Sequence, residues 1–340
     1  MKILLTGGAG FIGRHVHAQL LADGHSVRVL DSLRPDVHDV PPVIDGLIVG
    51  DIRDASVVSE ALQGVDSVVH LAAKVGLGVD LDDMDDYVST NSLGTAVLLR
   101  ALGRQGVQRL VYASSMVVYG EGHYECDRHG PVAPGPRRVE DLDSGRFEPP
   151  CPVCSEPLRP GLVSEDAPTD PRNTYAATKL HGEHLAATWS RETGAHATAL
   201  RFHNVYGPGM PRNTPYAGVA AIFRSMLERG EAPKVYEDGG QRRDFIHVAD
   251  IASAVVAAVN APTPPPFVAY NVGSGTVRTI GDLASELARA YDGPAPVITG
   301  AYRLGDVRHI TASSDRLREH LQWKSDYDLR TGIADLIHNG

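Results

Sequence analysis

The chain has 340 residues, room for about two domains with a full core at the usual 100–200 residues each. A formal charge of −10, from 32 basic and 42 acidic side chains, lacks the basic footprint that nucleic acid or an anionic membrane surface demands. Hydrophobic residues at 42% and charged residues at 22% exclude global disorder, and three cysteines are too few and too odd for a disulfide framework.

From Met1 the chain runs straight into an apolar stretch at 3–5 with no signal-peptide pattern, so a reducing cytoplasm is expected. No run of about eighteen apolar residues occurs, so no membrane span is expected. Short β-branched runs then alternate with helical periods: strands at 3–6, 27–30, 48–49, 67–71 and 109–114, helices at 12–21, 57–62 and 86–102. Strands this uniformly apolar, with helices between them, predict a doubly wound parallel sheet of Rossmann type covered on both faces. The rhythm stops at 121–168, where nine prolines forbid regular elements of any length, and this stretch reads as a loop-rich insertion. Helical patterning resumes at 175–189, with Asn173 or Thr174 as its cap, and a strand follows at 197–202. Beyond Gly207, helices at 219–228, 249–260 and 280–291 mix with strands at 234–236 and 268–272, which reads as a smaller α+β substrate domain. The expected division is 1–206 for the sheet domain and 207–340 mainly for the smaller one, with about 243–273 returning to the first.

The run Thr6-Gly7-Gly8-Ala9-Gly10-Phe11-Ile12-Gly13 places glycines at 7, 10 and 13 between the first strand and the first helix. A dinucleotide needs that pattern for a tight turn, close backbone approach and a pyrophosphate resting on the helix N-terminus. Asp31 follows at the end of the second strand, where a carboxylate accepts from ribose hydroxyls and repels a 2′-phosphate. NAD is therefore favoured over NADP, with Arg34 keeping the alternative open. Asp51 and Ile52 at the third strand, Leu71, Ala72 and Ala73 at the fourth, Phe11 and Ile12 at the helix start, and Asn91 complete the expected cofactor set.

Tyr175 and Lys179, four apart on a helix, project from one face. Ser114 and Ser115 end the fifth strand, on the side of an open α/β sheet where ligands bind. An ammonium beside a phenol favours the phenolate, so Lys179 is expected to lower the pKa of Tyr175 for proton exchange with a sugar hydroxyl that Ser115 holds. Together with Tyr112-Ala113-Ser114-Ser115, the glycine turn and Arg201-Phe202-His203-Asn204-Val205-Tyr206-Gly207-Pro208, these residues resemble the extended short-chain dehydrogenase/reductases that act on nucleotide sugars. The resemblance implies that Lys179 also binds the nicotinamide ribose and that Asn204, Arg243 and Arg303 bind the substrate diphosphate, with 218–223 near the base. It also implies a homodimer through helices 86–102 and 175–189. The 4,6-dehydratases of that family carry Asp then Glu after the catalytic hydroxyl residue. Met116 and Val117 stand there in this chain and transfer no proton, leaving 4-epimerisation or 4-keto reduction.

Every cysteine lies in the insertion. Cys126-x-x-His129 and Cys151-x-x-Cys154 form two knuckles whose ligands suit a closed tetrahedral zinc site, with His123 the alternative to His129. A Cys151–Cys154 disulfide and free thiols are the competing readings. The insertion resembles the knuckle-bearing insert of bacterial dTDP-L-rhamnose 4-epimerases, which implies dTDP-L-rhamnose and dTDP-6-deoxy-L-talose as the sugar pair. The acidic run Asp80, Asp82, Asp83, Asp85 and Asp86 reads as a solvated helix start rather than a cation site.

Overall fold

The alternation of apolar strand runs with helical periods is realised in a computed structural model, which describes residues 1–38, 42–76, 81–211, 218–262 and 264–340. In chain order the first part comprises β1 (Lys2–Thr6), α1 (Phe11–Ala22), β2 (Ser26–Asp31), β3 (Leu47–Val49), α2 (Ala55–Ala61), β4 (Ser67–His70), α3 (Met84–Tyr87), α4 (Gly94–Gln105) and β5 (Arg109–Ser115). The insertion carries β6 (Tyr124–Cys126), β7 (Gly130–Pro131), α5 (Val139–Asp143) and β8 (Arg159–Pro160), and α6 (Thr174–Thr193) and β9 (His196–Phe202) follow it. Then come β10 (Asn204–Tyr206), α7 (Val219–Glu228), β11 (Lys234–Val235), β12 (Arg242–His247), α8 (Val248–Asn260) and β13 (Phe267–Val272). The chain ends through β14 (Val277–Thr279), α9 (Ile280–Ala290), β15 (Val297–Ile298), α10 (Asp315–Leu321) and α11 (Leu329–Asn339).

Among the described residues, seven parallel strands form the main sheet in the order β13-β9-β5-β4-β1-β2-β3. The winding reverses between β1 and β4, and the crevice at that switch point is where doubly wound sheets take their ligands. Both faces are covered, as the apolar strands required. Ile3, Leu5, Val69 and Val111 pack under Val16 and Leu20 of α1 and Ile251 and Val255 of α8. Leu4, Val68 and Leu110 point the other way, onto Val58 of α2, Leu98 and Leu102 of α4, and Ala186 and Trp189 of α6. Burying one such aliphatic side chain stabilises the fold by roughly 1.5–3 kcal/mol.

Three expectations change. The helix expected at 86–102 is split: a π-helical turn over Val88–Leu93 joins α3 to α4. The insertion is not free of regular structure, because β6, β7 and β8 pair as a three-stranded ribbon; proline limits those strands to two or three residues without abolishing them. Strand β12, noted in the sequence only as a motif, pairs with β10 and β14 in a second three-stranded sheet, while β13 adds to the main sheet beside β9.

A buried ion pair fastens α6 to the sheet. Arg201 on β9 forks onto Glu183 on α6 (2.9 and 2.7 Å) and also donates to Tyr119 Oη (2.7 Å) and the Glu165 carbonyl (3.1 Å). Ser114 on β5 donates to the same Glu183 oxygen (2.5 Å). Both charges are buried, at 5% and 3% exposure, so removing one strands the other in low dielectric. Glu183→Ala is expected to cost about 3–5 kcal/mol in urea denaturation, and Glu183→Leu with Arg201→Met clearly less than either single change. Additive losses in the double variant would show that the pair is not the fastening.

Candidate active site

The glycine turn after β1 is set by close backbone contacts. At Gly7 (φ +71°) a Cβ would fall 2.6 Å from the Ala72 amide nitrogen, and at Gly13 one would fall 2.1 Å from the Gly7 carbonyl oxygen. Only glycine permits both approaches. Gly10 then caps α1 with no side-chain hydrogen bond, and no acidic residue occupies the first turn, which leaves its first-turn amides without a side-chain acceptor. Phe11 and Ile12 lie half-buried at the helix start.

Asp31 ends β2 beside this turn. Its carboxylate accepts from the Ala9 amide (3.0 Å) and the Leu33 amide (3.0 Å), with His38 Nε2 3.7 Å away. Arg34 is committed elsewhere. Its guanidinium bridges Asp36 and Asp86 at 3.0–3.1 Å, and those hydrogen bonds hold its pKa above the usual range. Lys74 pairs in turn with Asp83 (2.7 Å) and Asp86 (2.9 Å). The acidic run is thus partly an ion-pair lattice rather than a solvated helix start; Asp80 lies outside the described residues. Asp51 is clamped by Arg53 (2.6 and 2.9 Å), and Ile52 is buried beneath Gly94, where a Cβ would meet it at 2.6 Å. Leu71, Ala72 and Ala73 are half-buried after β4, with the Ala72 amide on Thr6 Oγ1 (3.3 Å). Asn91, in the π-turn, binds the Lys74 amide (2.8 Å) and carbonyl (2.9 Å) and Thr178 Oγ1 (3.0 Å). It locks the loop after β4 to the helix that carries Tyr175.

Asn173 caps α6 through the Ala176 amide (2.8 Å), so Tyr175 and Lys179 occupy its first two turns. The Ser115 hydroxyl lies near enough to the Tyr175 phenol to lower its pKa, and Lys179 Nζ donates to the Ala113 carbonyl (2.8 Å), 5.8 Å from the Tyr175 ring centre. Ser115, Tyr175 and Lys179 therefore converge. Ser114 does not: strand alternation turns it away, and its hydroxyl is spent on Glu183. The expected electrostatics also differ. Burial pushes the Tyr175 phenol up to about 12, with the Ser115 hydrogen bond opposing, and burial alone brings Lys179 down to about 8. Desolvation of both groups outweighs their mutual attraction at this separation.

On the substrate side, Asn204 opens β10 with its side-chain oxygen lacking a partner among the described residues. Its neighbour His203 is buried, and neither ring nitrogen finds a partner there either; burial and then Arg243 lower its pKa to about 3, so it stays neutral. Sequence reasoning passed over His203, although it adjoins Asn204 in the quoted motif. Arg243 donates to the carbonyls of Arg242, Val307 and Arg308 at 2.8–3.0 Å, while Arg303 lies exposed 5.4 Å from the Tyr236 ring. The segment 306–308 thus lies against Arg243 and leads directly from Arg303. Gly218 caps α7, the start of the 218–223 stretch.

In the insertion, the Cys126, Cys151 and Cys154 sulfurs and a His129 ring nitrogen lie within 4.8 Å of one another. Cys126 Sγ is 3.4 Å from His129 Nδ1 and 3.6 Å from Cys154 Sγ, and Cys151 Sγ is 3.5 Å from the same nitrogen. A tetrahedron with zinc–sulfur bonds of about 2.3 Å and zinc–nitrogen bonds of about 2.0–2.1 Å has edges close to these. The cysteines are free rather than disulfide-bonded. His123 stands apart, 3.5 Å from Glu125, which leaves His129 in the set. Burial opposes ionisation of Cys151, yet the amides of Cys154 and Val153 bring its thiol down to about 6.

The Lys179 shift carries a pH signature. With a folded pKa near 8 against 10.5 unfolded, the unfolded chain binds the extra proton between those values, so stability rises with pH across that window. Below it, the buried ammonium costs stability. From pH 8 to 9.5 the wild type should gain on Lys179→Met by up to about 1.4 kcal/mol per pH unit in urea midpoints converted to free energy. Parallel pH profiles would refute the buried, depressed lysine.

Comparison with known proteins gives the site its context. The NAD dependent epimerase/dehydratase family matches residues 3–149 and 154–273. A dTDP-L-rhamnose 4-epimerase of Burkholderia thailandensis is 35% identical over 98% of this chain and 93% of that protein. A UDP-glucose 4-epimerase of Corynebacterium glutamicum is 30% identical over 98% of this chain and 94% of that protein. Among solved structures, the Thermus thermophilus UDP-glucose 4-epimerase in complex with NAD superposes with a TM-score of 0.79 at 28% identity, covering 100% of this chain and 98% of that one. With the family matched across most of its length and its sheet order, glycine turn and serine–tyrosine–lysine centre in place, this chain belongs to the NAD-dependent epimerase/dehydratase family.

Proposed function

We propose that the protein is an NAD-dependent nucleotide-sugar 4-epimerase acting on dTDP-L-rhamnose and dTDP-6-deoxy-L-talose. The observation that carries the reading is the convergence of Ser115, Tyr175 and Lys179 at the switch-point crevice, with Met116 and Val117 where a dehydratase needs a proton-transferring pair. The sugar rests on the insertion's knuckles and on the similarity to the Burkholderia enzyme.

In this reading bound NAD would supply the hydride acceptor and donor for oxidation and re-reduction at sugar C4. The glycine turn and the α1 amides hold its pyrophosphate, Asp31 its adenosine ribose, and Lys179 its nicotinamide ribose. Ser115 would hold the C4 oxygen, and Tyr175, in the phenolate form that the positive charge of bound NAD would favour, would take the hydroxyl proton as the 4-keto sugar forms and return it afterwards. Asn204, Arg243 and Arg303 hold the diphosphate. Ser114 keeps α6 in place and does not contact the sugar. Residues 1–206 form the cofactor domain and most of 207–340 the substrate domain, and α4 and α6 pair two copies into a homodimer. No described helix is long and apolar enough to cross a membrane.

Incubation with dTDP-L-rhamnose should yield the 4-epimer by NMR without net change in NADH absorbance. Tyr175→Phe should lower kcat by roughly 10²–10⁴-fold while bound NAD is retained. Turnover of UDP-sugars alone would overturn the sugar, and stoichiometric NAD(P)H consumption with a 4-keto sugar would overturn the reaction in favour of a ketoreductase.

We also assign Cys126, His129, Cys151 and Cys154 to one structural zinc. All four positions are filled by protein, so the ion takes no part in the reaction. Protein purified without chelator should contain about one zinc per chain, and removing it should lower Tm, since metal binding contributes folding free energy. Metal well below stoichiometry would refute the site.

A further inference from the structure

The segment 303–309 is gripped from two sides. From the sheet side, Arg243 of β12 donates to the carbonyls of Val307 (2.8 Å) and Arg308 (3.0 Å). From the insertion, Arg137 donates to the Asp306 carbonyl (2.6 Å), the Gly122 amide to the His309 carbonyl (3.0 Å), and Glu148 accepts from Arg308 (2.7 and 3.0 Å) and pairs with His309 Nε2 (2.7 Å). The insertion contacts fall on residues that follow closely after Arg303.

The charges form a circuit that begins and ends in the insertion. Arg137 pairs with one oxygen of Glu237 (2.7 Å), the other oxygen of Glu237 pairs with Arg308 (2.8 Å), and Arg308 returns to Glu148. Asp238 adds a third carboxylate to Arg308 (2.8 and 2.9 Å). Arg137, Glu237 and Arg308 are 6%, 3% and 2% exposed at their side chains. Glu237 also holds a left-handed backbone (φ +53°), and its amide donates to the Ala301 carbonyl (2.7 Å), fixing the approach to Arg303. Arg137, Glu237 and Arg308 are desolvated and tolerate few arrangements, because a shift that separates them leaves an uncompensated ion, whereas Glu148 and Asp238 close the circuit from partly exposed positions, at 40% and 53%. The two knuckles bracket the source of the grip, since Arg137 and Glu148 both lie between His129 and Cys151.

We propose that the insertion is a positioning element for the substrate: Arg137 and Glu148 set the backbone of 303–309, and through it the placement of Arg303 and Arg243 against the diphosphate of a nucleotide sugar. The inference rests on the reading above that these two arginines bind the diphosphate. Arg137 and Glu148 are positioning residues that need not touch the ligand. The knuckles lie at either end of the loop that carries Arg137 and Glu148.

The test titrates dTDP and UDP into NAD-loaded wild type, Glu148→Gln, Arg137→Met and, as a control in the same insertion, Glu156→Gln. The first two variants should bind both nucleotides about tenfold more weakly, a change of about 1.4 kcal/mol. The KM for the sugar nucleotide should rise in step, with kcat within about twofold, because the reacting groups are untouched. NAD content should stay at the wild-type level, and Glu156→Gln should match wild type throughout. Should Glu148→Gln fail to fold, Arg137→Lys carries the test, since it keeps the charge but loses the two-way fork to Glu237 and Asp306. Unchanged nucleotide affinity in the folded variants, or a fall in kcat with KM unchanged, overturns the proposal. Wild-type protein that binds neither dTDP nor UDP overturns the nucleotide-sugar reading and this inference with it.

Discussion

Glu183 holds the cluster of Ser115, Tyr175 and Lys179 together from outside it. Its carboxylate takes the Arg201 fork from β9 and the Ser114 hydroxyl from β5, so one buried anion fixes the rotation and height of α6 against two adjacent strands. Tyr175, Lys179 and Glu183 stand four residues apart, close to one stripe of that helix. Whatever sets Glu183 on the sheet therefore sets Lys179 beside the Ala113 carbonyl and Tyr175 beside Ser115. Ser114 and Ser115 divide the labour by strand alternation, one anchoring the helix and the other facing the chemistry. Tyr119 and the Glu165 carbonyl join the same guanidinium, which ties in both ends of the insertion.

The cost of enclosing this centre appears in its titration. A tyrosine pushed up to about 12 and a lysine brought down to about 8 are both displaced toward their neutral forms, the result expected when burial dominates. The lysine does not by itself make the phenol acidic. Its contribution is a proton-bearing group of low affinity next to a phenol of high affinity, and a cationic cofactor ring entering the same space would favour the phenolate. His203, neutral and lacking protein partners among the described residues, is a further buried polar group, near Arg243.

The insertion is more than a decoration on the sheet edge. It has its own small core of Tyr124, Cys126, Cys151 and Leu158. Tyr124 also reaches out of that core, donating to Glu121 (3.0 Å) and accepting from the His309 amide (3.2 Å). A proline-rich loop with little regular structure of its own is thereby joined to the molecule by buried charges and by its cysteine–histidine cluster. The same joint faces the segment after Arg303.

Much of the architecture was legible in the sequence because its cause is local. Apolar runs of four or five residues separated by helical periods point to a covered parallel sheet, and the glycines at 7 and 13 mark where backbone must pass backbone. Serine at a strand end, tyrosine and lysine one turn apart, and all cysteines in one segment are likewise statements about spacing. The π-turn at Val88–Leu93, the short insertion strands and the pairing of β12 with β10 were not legible, since each depends on partners distant in the chain. Nor could spacing tell that Ser114 turns to Glu183, that Arg34 is consumed by Asp36 and Asp86, or that Arg243 grips the carbonyls of Val307 and Arg308. The sequence by itself determined which chemical groups are present and roughly where along the sheet they fall. Tertiary structure alone decided which of them are spent on one another, and how far burial moves their proton affinities, because desolvation and charge pairing are set by neighbours that only folding brings into contact.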